Sequence, residues 1–188
     1  CPLIVAGVLR DGAILSAGVN SFRCIVAGCR ASREGPFRRR FSLDGRAFAM
    51  YGLKTESSFD AAHFLTDYHG KCENLHGHRW RVVAYLEQAD LQTEGTHKDM
   101  VIDFADFKHA LRDLTEELDH SFVVEEGSLM PKTLDCLREE GFTLSMMPFR
   151  TTAENLARYF FGKLAEQGFP VSQVDVYETP NNCAIYRA

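Results

Sequence analysis

The stretch HRWRVVAYLEQA, residues 78–89, decides how the chain is read. It is rich in aromatic and β-branched residues, which suit a pleated, half-buried surface, so it is the clearest strand in the sequence. His76 and His78 lie two apart at its start, and if the strand begins there they share a face. Upstream, LKTESSFDAAHFL (residues 53–65) alternates as a second strand, with Phe59, Ala61 and His63 on one side. The polar loop TDYHGKCENLHG, residues 66–77, joins the two.

Downstream, residues 90–99 read as a loop and MVID as a short apolar segment. Asp103 is placed to cap a helix. Phe104, Phe107, Leu111, Leu114 and Leu118 then recur at steps of three and four, which predicts an amphipathic helix over 104–118. LDHSF ends it. Residues 123–149 are less regular, with a short helix expected at 131–140 and stopped by Gly141. Thr151 and Glu154 form an S/T-x-x-E capping box, opening a helix that runs to Gln167 and is stopped by Gly168 and Pro170. VSQVDVYE and CAIYRA read as two closing strands joined by TPNN, a turn composition. The order strand, strand, helix, helix, strand, strand predicts an α+β domain: an antiparallel four-stranded sheet with helices on one face. Its open edges are a reason to expect pairing with another subunit.

Length and composition agree with one such domain: 188 residues, 45% apolar and 25% charged. A net charge of -5 argues against nucleic acid or an anionic membrane as partner. No apolar run reaches the roughly 18 residues that a membrane-spanning helix needs. The charge is uneven, because residues 1–49 carry eight Arg, no Lys and three acids. That segment starts at Cys1 and shows no clear period. It lacks the basic lead of a secretory signal and the amphipathicity of an organelle presequence. The expectation is a non-native or mis-started extension over 1–49, poorly ordered, with Met50 the first residue of a domain spanning 50–188. Six Cys without a CxxC pair suggest reduced thiols in the cytoplasm.

The histidines come first among the chemistry-bearing residues. His76 and His78 on one strand face could grip one ion, and His63, in the apolar context AAHF, is the best third ligand. Three His with an open position is the pattern of catalytic zinc. The plainer alternative is a polar strand entry and a hydrogen-bonded core histidine. Cys72 could close the site as a fourth ligand. It could equally stay off the metal, where a nearby cation would favour the thiolate and make it a general base. Asp119 and His120 follow a helix and could act as orienter and acid/base group, or be a solvated helix end. Glu178 closes a strand and could accept a pair of N–H groups from a guanidine-like heterocycle, or be a turn charge. Glu154 is already explained by capping.

Taken in order, FDAAH, CENLHGH, VIDFADFK, LDHSF, TAEN, YETPNN and AIY resemble the 6-pyruvoyltetrahydropterin synthase / 6-carboxytetrahydropterin synthase family over about residues 51–187. The resemblance implies the tunnelling fold, a ββααββ unit joined in trimers that pair as hexamers, with each pocket between subunits. It implies that Zn2+ is held by His63, His76 and His78, that Cys72 is the catalytic base, and that Asp119 and His120 form a proton relay. It implies further that Glu178 holds the pterin ring and that Thr152 and Glu154 line the pocket. The spacing C-x-x-x-H-G-H resembles the bacterial 6-carboxy-5,6,7,8-tetrahydropterin synthase of the queuosine route, a cytoplasmic enzyme acting on 7,8-dihydroneopterin triphosphate. A pyruvoyl synthase, or a non-catalytic zinc protein with Cys72 as ligand, are the alternatives. Basic side chains must meet the triphosphate, and the sequence does not single them out.

Overall fold

The computed structural model describes residues 49–188, so the expectations for residues 1–48 lie outside the described residues. The two strands that anchored the reading are β1 (Tyr51–His63) and β2 (His76–Gln88). They are followed by α1 (Phe104–Glu116), β3 (Ser121–Glu125), α2 (Pro131–Glu139), β4 (Leu144–Met147), α3 (Ala153–Glu166), β5 (Val171–Thr179) and β6 (Asn182–Arg187). One turn of 3₁₀ helix occupies Lys71–Glu73 in the β1–β2 connection.

β1, β2, β5 and β6 form the expected antiparallel unit, but it is not the whole sheet. The spatial order is β4-β3-β1-β2-β5-β6, and β3 and β4 join in parallel on the outer side of β1. The expected four-stranded antiparallel sheet is therefore corrected to a six-stranded mixed sheet; the short helix expected at 131–140 is present as α2, a third helix beside the two of the ββααββ order. The added strands have five and four residues, too short to display a period beside helical sequence. Parallel pairing also needs a crossover, here α2, so nothing local announces it.

The apolar stripe of α1 and the buried side of α3 cover one face of the sheet. Phe107, Leu111 and Leu114 of α1, with Leu118 just beyond it, meet Leu156, Ala157, Phe160 and Leu164 of α3. Both rows pack on Phe59, Trp80, Val82, Ala84, Leu86, Val174 and Val176, all from alternate strand positions. Phe59 and Trp80 are cross-strand partners whose rings stack 6.0 Å apart at 9°. α2 buries no residue. The other face of β2 and β5 is polar. The Arg81 guanidinium lies 3.9 Å from the Tyr177 ring centroid, and Tyr85 donates its hydroxyl to Asp175 at 3.1 Å. Burial, with that carboxylate adding to it, pushes Tyr85 up to about 12.

Both long helices begin at side-chain caps. Asp103 accepts from the Ala105 amide at 2.7 Å, as its sequence position predicts. At α3 the cap is Thr152, which accepts from the Asn155 amide at 3.3 Å, and not the Thr151 of the capping box. Thr151 is fully buried, and its hydroxyl donates to the Phe64 carbonyl at 3.1 Å. No helix among the described residues is long and apolar enough to cross a membrane.

Candidate active site

The β1–β2 register builds the site. His63 pairs with His76, Ala61 with His78, and Phe59 with Trp80. Because side chains alternate, the three imidazoles fall on the helix-covered face, one layer past the aromatic end of the core. Trp80 meets His63 and His78 edge-on, with ring centroids 5.0 and 5.4 Å away. Glu178, near the end of β5 and in phase with Val174 and Val176, reaches the same place from the neighbouring strand. One ligand-type atom from each of His63, His76, His78 and Glu178 lies within 4.8 Å of the others.

Two carbonyls aim the rings. His63 Nδ1 donates to the Thr151 carbonyl at 2.9 Å, and His76 Nδ1 to the Asn74 carbonyl at 2.7 Å. Each bond leaves Nε2 as the lone-pair nitrogen, as in metal sites where a second partner fixes the tautomer. The Nε2 atoms of His63, His76 and His78 are all buried and lack a hydrogen-bond partner among the described residues. Glu178 Oε1 lies 3.6 Å from His63 Nε2 and 3.5 Å from His78 Nε2. Burial, with the neighbouring imidazoles adding to it, holds His63 down at about 4 despite its Thr151 hydrogen bond. Burial also lowers His78, against the pull of Glu178. Orphaned buried acceptors are rare unless something occupies them, and convergent neutral imidazoles are what a divalent transition metal requires. The residues fit a metal.

Beside this cluster lies a cavity of about 420 Å³, whose wall includes Cys72, Glu178, Thr152, Glu154, Tyr68 and Arg150. Cys72 is half-buried on the 3₁₀ turn, tied down where its carbonyl accepts from the Leu65 amide at 2.8 Å. The structure thus brings together seven of the nine residues singled out in the sequence: His63, His76, His78, Cys72, Thr152, Glu154 and Glu178.

Asp119 and His120 lie elsewhere in the chain's surface. They form the corner between α1 and β3, where His120 takes a left-handed φ of 53°. Asp119 accepts from the Asp60 amide at 2.7 Å and from His120 Nδ1 at 2.8 Å. The Asp60 amide, then the His120 ring, hold the Asp119 carboxyl below its usual range. The His120 side chain is 80% exposed and faces a second concavity, lined also by Asp60, Ala62, Gly77, Arg79 and His78 of the histidine cluster. That concavity shares no lining residue with the Cys72 cavity. The pair is oriented as a pair, but within one chain it does not join Cys72.

Three contributors escaped sequence reasoning. Thr151 looked like a helix cap and instead supplies the carbonyl that fixes His63. Tyr68 and Arg150 look like ordinary loop residues, and only the packing of the β1–β2 connection against the start of α3 puts them on the cavity wall. The guanidinium carbon of Arg150 lies 5.8 Å from the Tyr68 ring centroid.

Comparison with known proteins agrees with this geometry. A protein of Wolinella succinogenes shares the fold at a TM-score of 0.62 with 22% identity, covering 74% of this chain and 98% of its own. The 6-pyruvoyltetrahydropterin synthase of Plasmodium vivax superposes at a TM-score of 0.55 with 23% identity, covering 74% of this chain and 98% of its own. In sequence, the 6-carboxy-5,6,7,8-tetrahydropterin synthase of Haemophilus influenzae is 35% identical over 73% of this chain and 99% of its own length. The enzyme of the same name from Synechocystis sp. is 33% identical over 73% of this chain and 93% of its own. The family described as 6-pyruvoyl tetrahydropterin synthase matches residues 52–188, which take in every strand but the first residue of β1, all three helices and the whole histidine cluster, and the chain belongs to that family.

Proposed function

We propose that the protein is a 6-carboxy-5,6,7,8-tetrahydropterin synthase. It converts 7,8-dihydroneopterin triphosphate to 6-carboxytetrahydropterin, acetaldehyde and triphosphate on the route to queuosine. The observation that carries this is the convergence of three orphaned imidazole Nε2 atoms beside Cys72 and Glu178 on one cavity. Its support in sequence is the 35% identity to the Haemophilus influenzae enzyme of that name.

His63, His76 and His78 would hold Zn2+, with the Thr151 and Asn74 carbonyls keeping two of the three rings in position. The metal, when bound, supplies Lewis acidity that lowers the pKa of substrate hydroxyls. Cys72 takes and returns protons at the substrate side chain, working beside the ligands and not as one of them. Glu178 accepts the N–H pair of the pterin ring and fixes its register against Cys72, a positioning contribution. Thr152 and Glu154 shape the ring's surroundings.

Asp119 and His120 complete the proton relay, and their separate concavity supports a site assembled from two chains. That division and the open edges at β4 and β6 support pairing with further copies, in this proposal a homo-oligomer built on trimers, a hexamer in the fullest form. A cytoplasmic location is part of the same proposal.

The test is incubation with 7,8-dihydroneopterin triphosphate, followed by identification of the pterin and of any aldehyde. Acetaldehyde in step with triphosphate is the expected result. Triphosphate without acetaldehyde would make the protein a pyruvoyl synthase, the second reading, favoured by the names of solved fold relatives such as the Plasmodium vivax enzyme.

A further inference from the structure

Arg150 has no role in the account above, yet its environment is unusual. It precedes Thr151, the residue that fixes His63, and its side chain lies in the wall of the Cys72–Glu178 cavity. Its Nε and one terminal nitrogen are buried and make no hydrogen bond among the described residues. Tyr68, over whose ring the guanidinium lies, offers a π face and no counter-charge. On its other side is a second concavity that contains Asp67, Glu125 and Glu126. Glu125 is engaged by the Thr66 hydroxyl, and none of the three forms an ion pair with Arg150.

Burying donors of a permanently charged group without partners is costly unless a ligand completes them. Arg150 is also the one basic side chain among the described residues lining the Cys72 cavity, whose other charged members are the carboxylates Glu154 and Glu178. A polyanionic ligand entering there would be repelled by the two carboxylates and attracted by this guanidinium. The planar fork of Arg matches phosphate oxygens two at a time, which a compact ammonium does not.

We infer that Arg150 is the anion anchor of the cavity: its guanidinium binds the phosphate chain of the substrate while Glu178 holds the opposite, N–H-bearing edge of the ring. This rests on the pterin triphosphate reading, but the binding chemistry is testable apart from turnover. Substitution leaves the local backbone bonds in place, because Asn155 and Thr152 contact the Arg150 carbonyl and not its side chain.

The experiment measures dissociation constants of inorganic triphosphate, 7,8-dihydroneopterin triphosphate and unphosphorylated 7,8-dihydroneopterin on the metal-loaded full chain and on Arg150→Gln. Losing a charge-assisted phosphate contact should weaken both phosphate-bearing ligands about tenfold to a hundredfold. Affinity for the unphosphorylated pterin should hold. Arg150→Lys, which keeps the charge and loses the fork, should fall between the two. Equal triphosphate affinity in the wild type and Arg150→Gln overturns the inference. So does an equal loss for the phosphorylated and unphosphorylated pterins, which would mark a structural role. If Arg150-dependent triphosphate binding is present but no pterin is turned over, the anion site stands and the proposed reaction fails. If pterin is turned over while Arg150→Gln binds triphosphate normally, the reaction stands and the anion site fails.

Discussion

His63 illustrates how a residue's chemistry comes from its surroundings. It is 1% exposed, wedged between Trp80 and two other imidazoles, with its Nδ1 proton committed to Thr151. It stays neutral down to about 4, whereas in the unfolded chain it protonates near 6.5. Between those values the unfolded chain binds the extra proton. The metal-free protein therefore loses stability as pH falls through this window, by about 3 kcal/mol in total. Denaturant titrations of chelator-treated protein at both ends of the window check this, and His63→Gln should remove that part of the pH dependence. Cys72 gives the second prediction at this scale. Cys72→Ala should keep its metal and lose turnover by about 10²–10⁴-fold, the usual contribution of a general base. Metal analysis alongside the assay decides it, since loss of metal would make Cys72 a ligand. His76→Ala should lose the metal.

At the scale of elements, alternation and helical spacing made β1, β2, α1, α3, β5 and β6 legible before any coordinates. The row from Phe104 to Leu118 buries its predicted residues, apart from Phe104, which is 62% exposed. β3 and β4 were missed because strands of five and four residues carry too few alternations to be told from loop. The α3 cap was misplaced by one residue because only Thr151 has a glutamate three positions on, whereas its hydroxyl is buried against Phe64 and the adjacent Thr152 is the one that caps. Asp103→Ala, which removes the α1 cap, should cost about 1 kcal/mol. Thermal unfolding would show it, with metal content unchanged, because Asp103 touches no site residue. Asp119→Asn acts at a corner where its carboxylate joins β1 to the α1–β3 turn. It should flatten the dependence of the rate on pH without releasing metal, whereas a solvated helix end would leave the profile unmoved.

At the scale of the whole molecule, the family match over residues 52–188 covers all but the first three described residues and does not include the Arg-rich first segment. A chain beginning at Met50 should bind metal and turn over substrate as the full chain does, a direct side-by-side assay. The separation of Cys72 from His120 makes the second prediction. Mixing an inactive Cys72→Ala chain with an inactive His120→Ala chain, after dissociation and reassembly, should restore a fraction of activity. No recovery would mean that each chain works alone.

The amino-acid sequence by itself determined the four long strands, the two packed helices, the phase of His63, His76 and His78, and the family. The elements and the phase follow from local periodicity, and the family from the resemblance carried by motifs in order from FDAAH to AIY. Only the tertiary structure decided which atoms converge. The β1–β2 register sets His63 opposite His76, and the β2–β5 pairing brings Glu178 to them across about a hundred residues of chain. The packing of α3's first turn against the end of β1 gives His63 its carbonyl and Arg150 its unpartnered place in the cavity wall. Such contacts depend on strand register and on which groups are shut away from water. Those are properties of the assembled core, and no stretch of sequence encodes them alone.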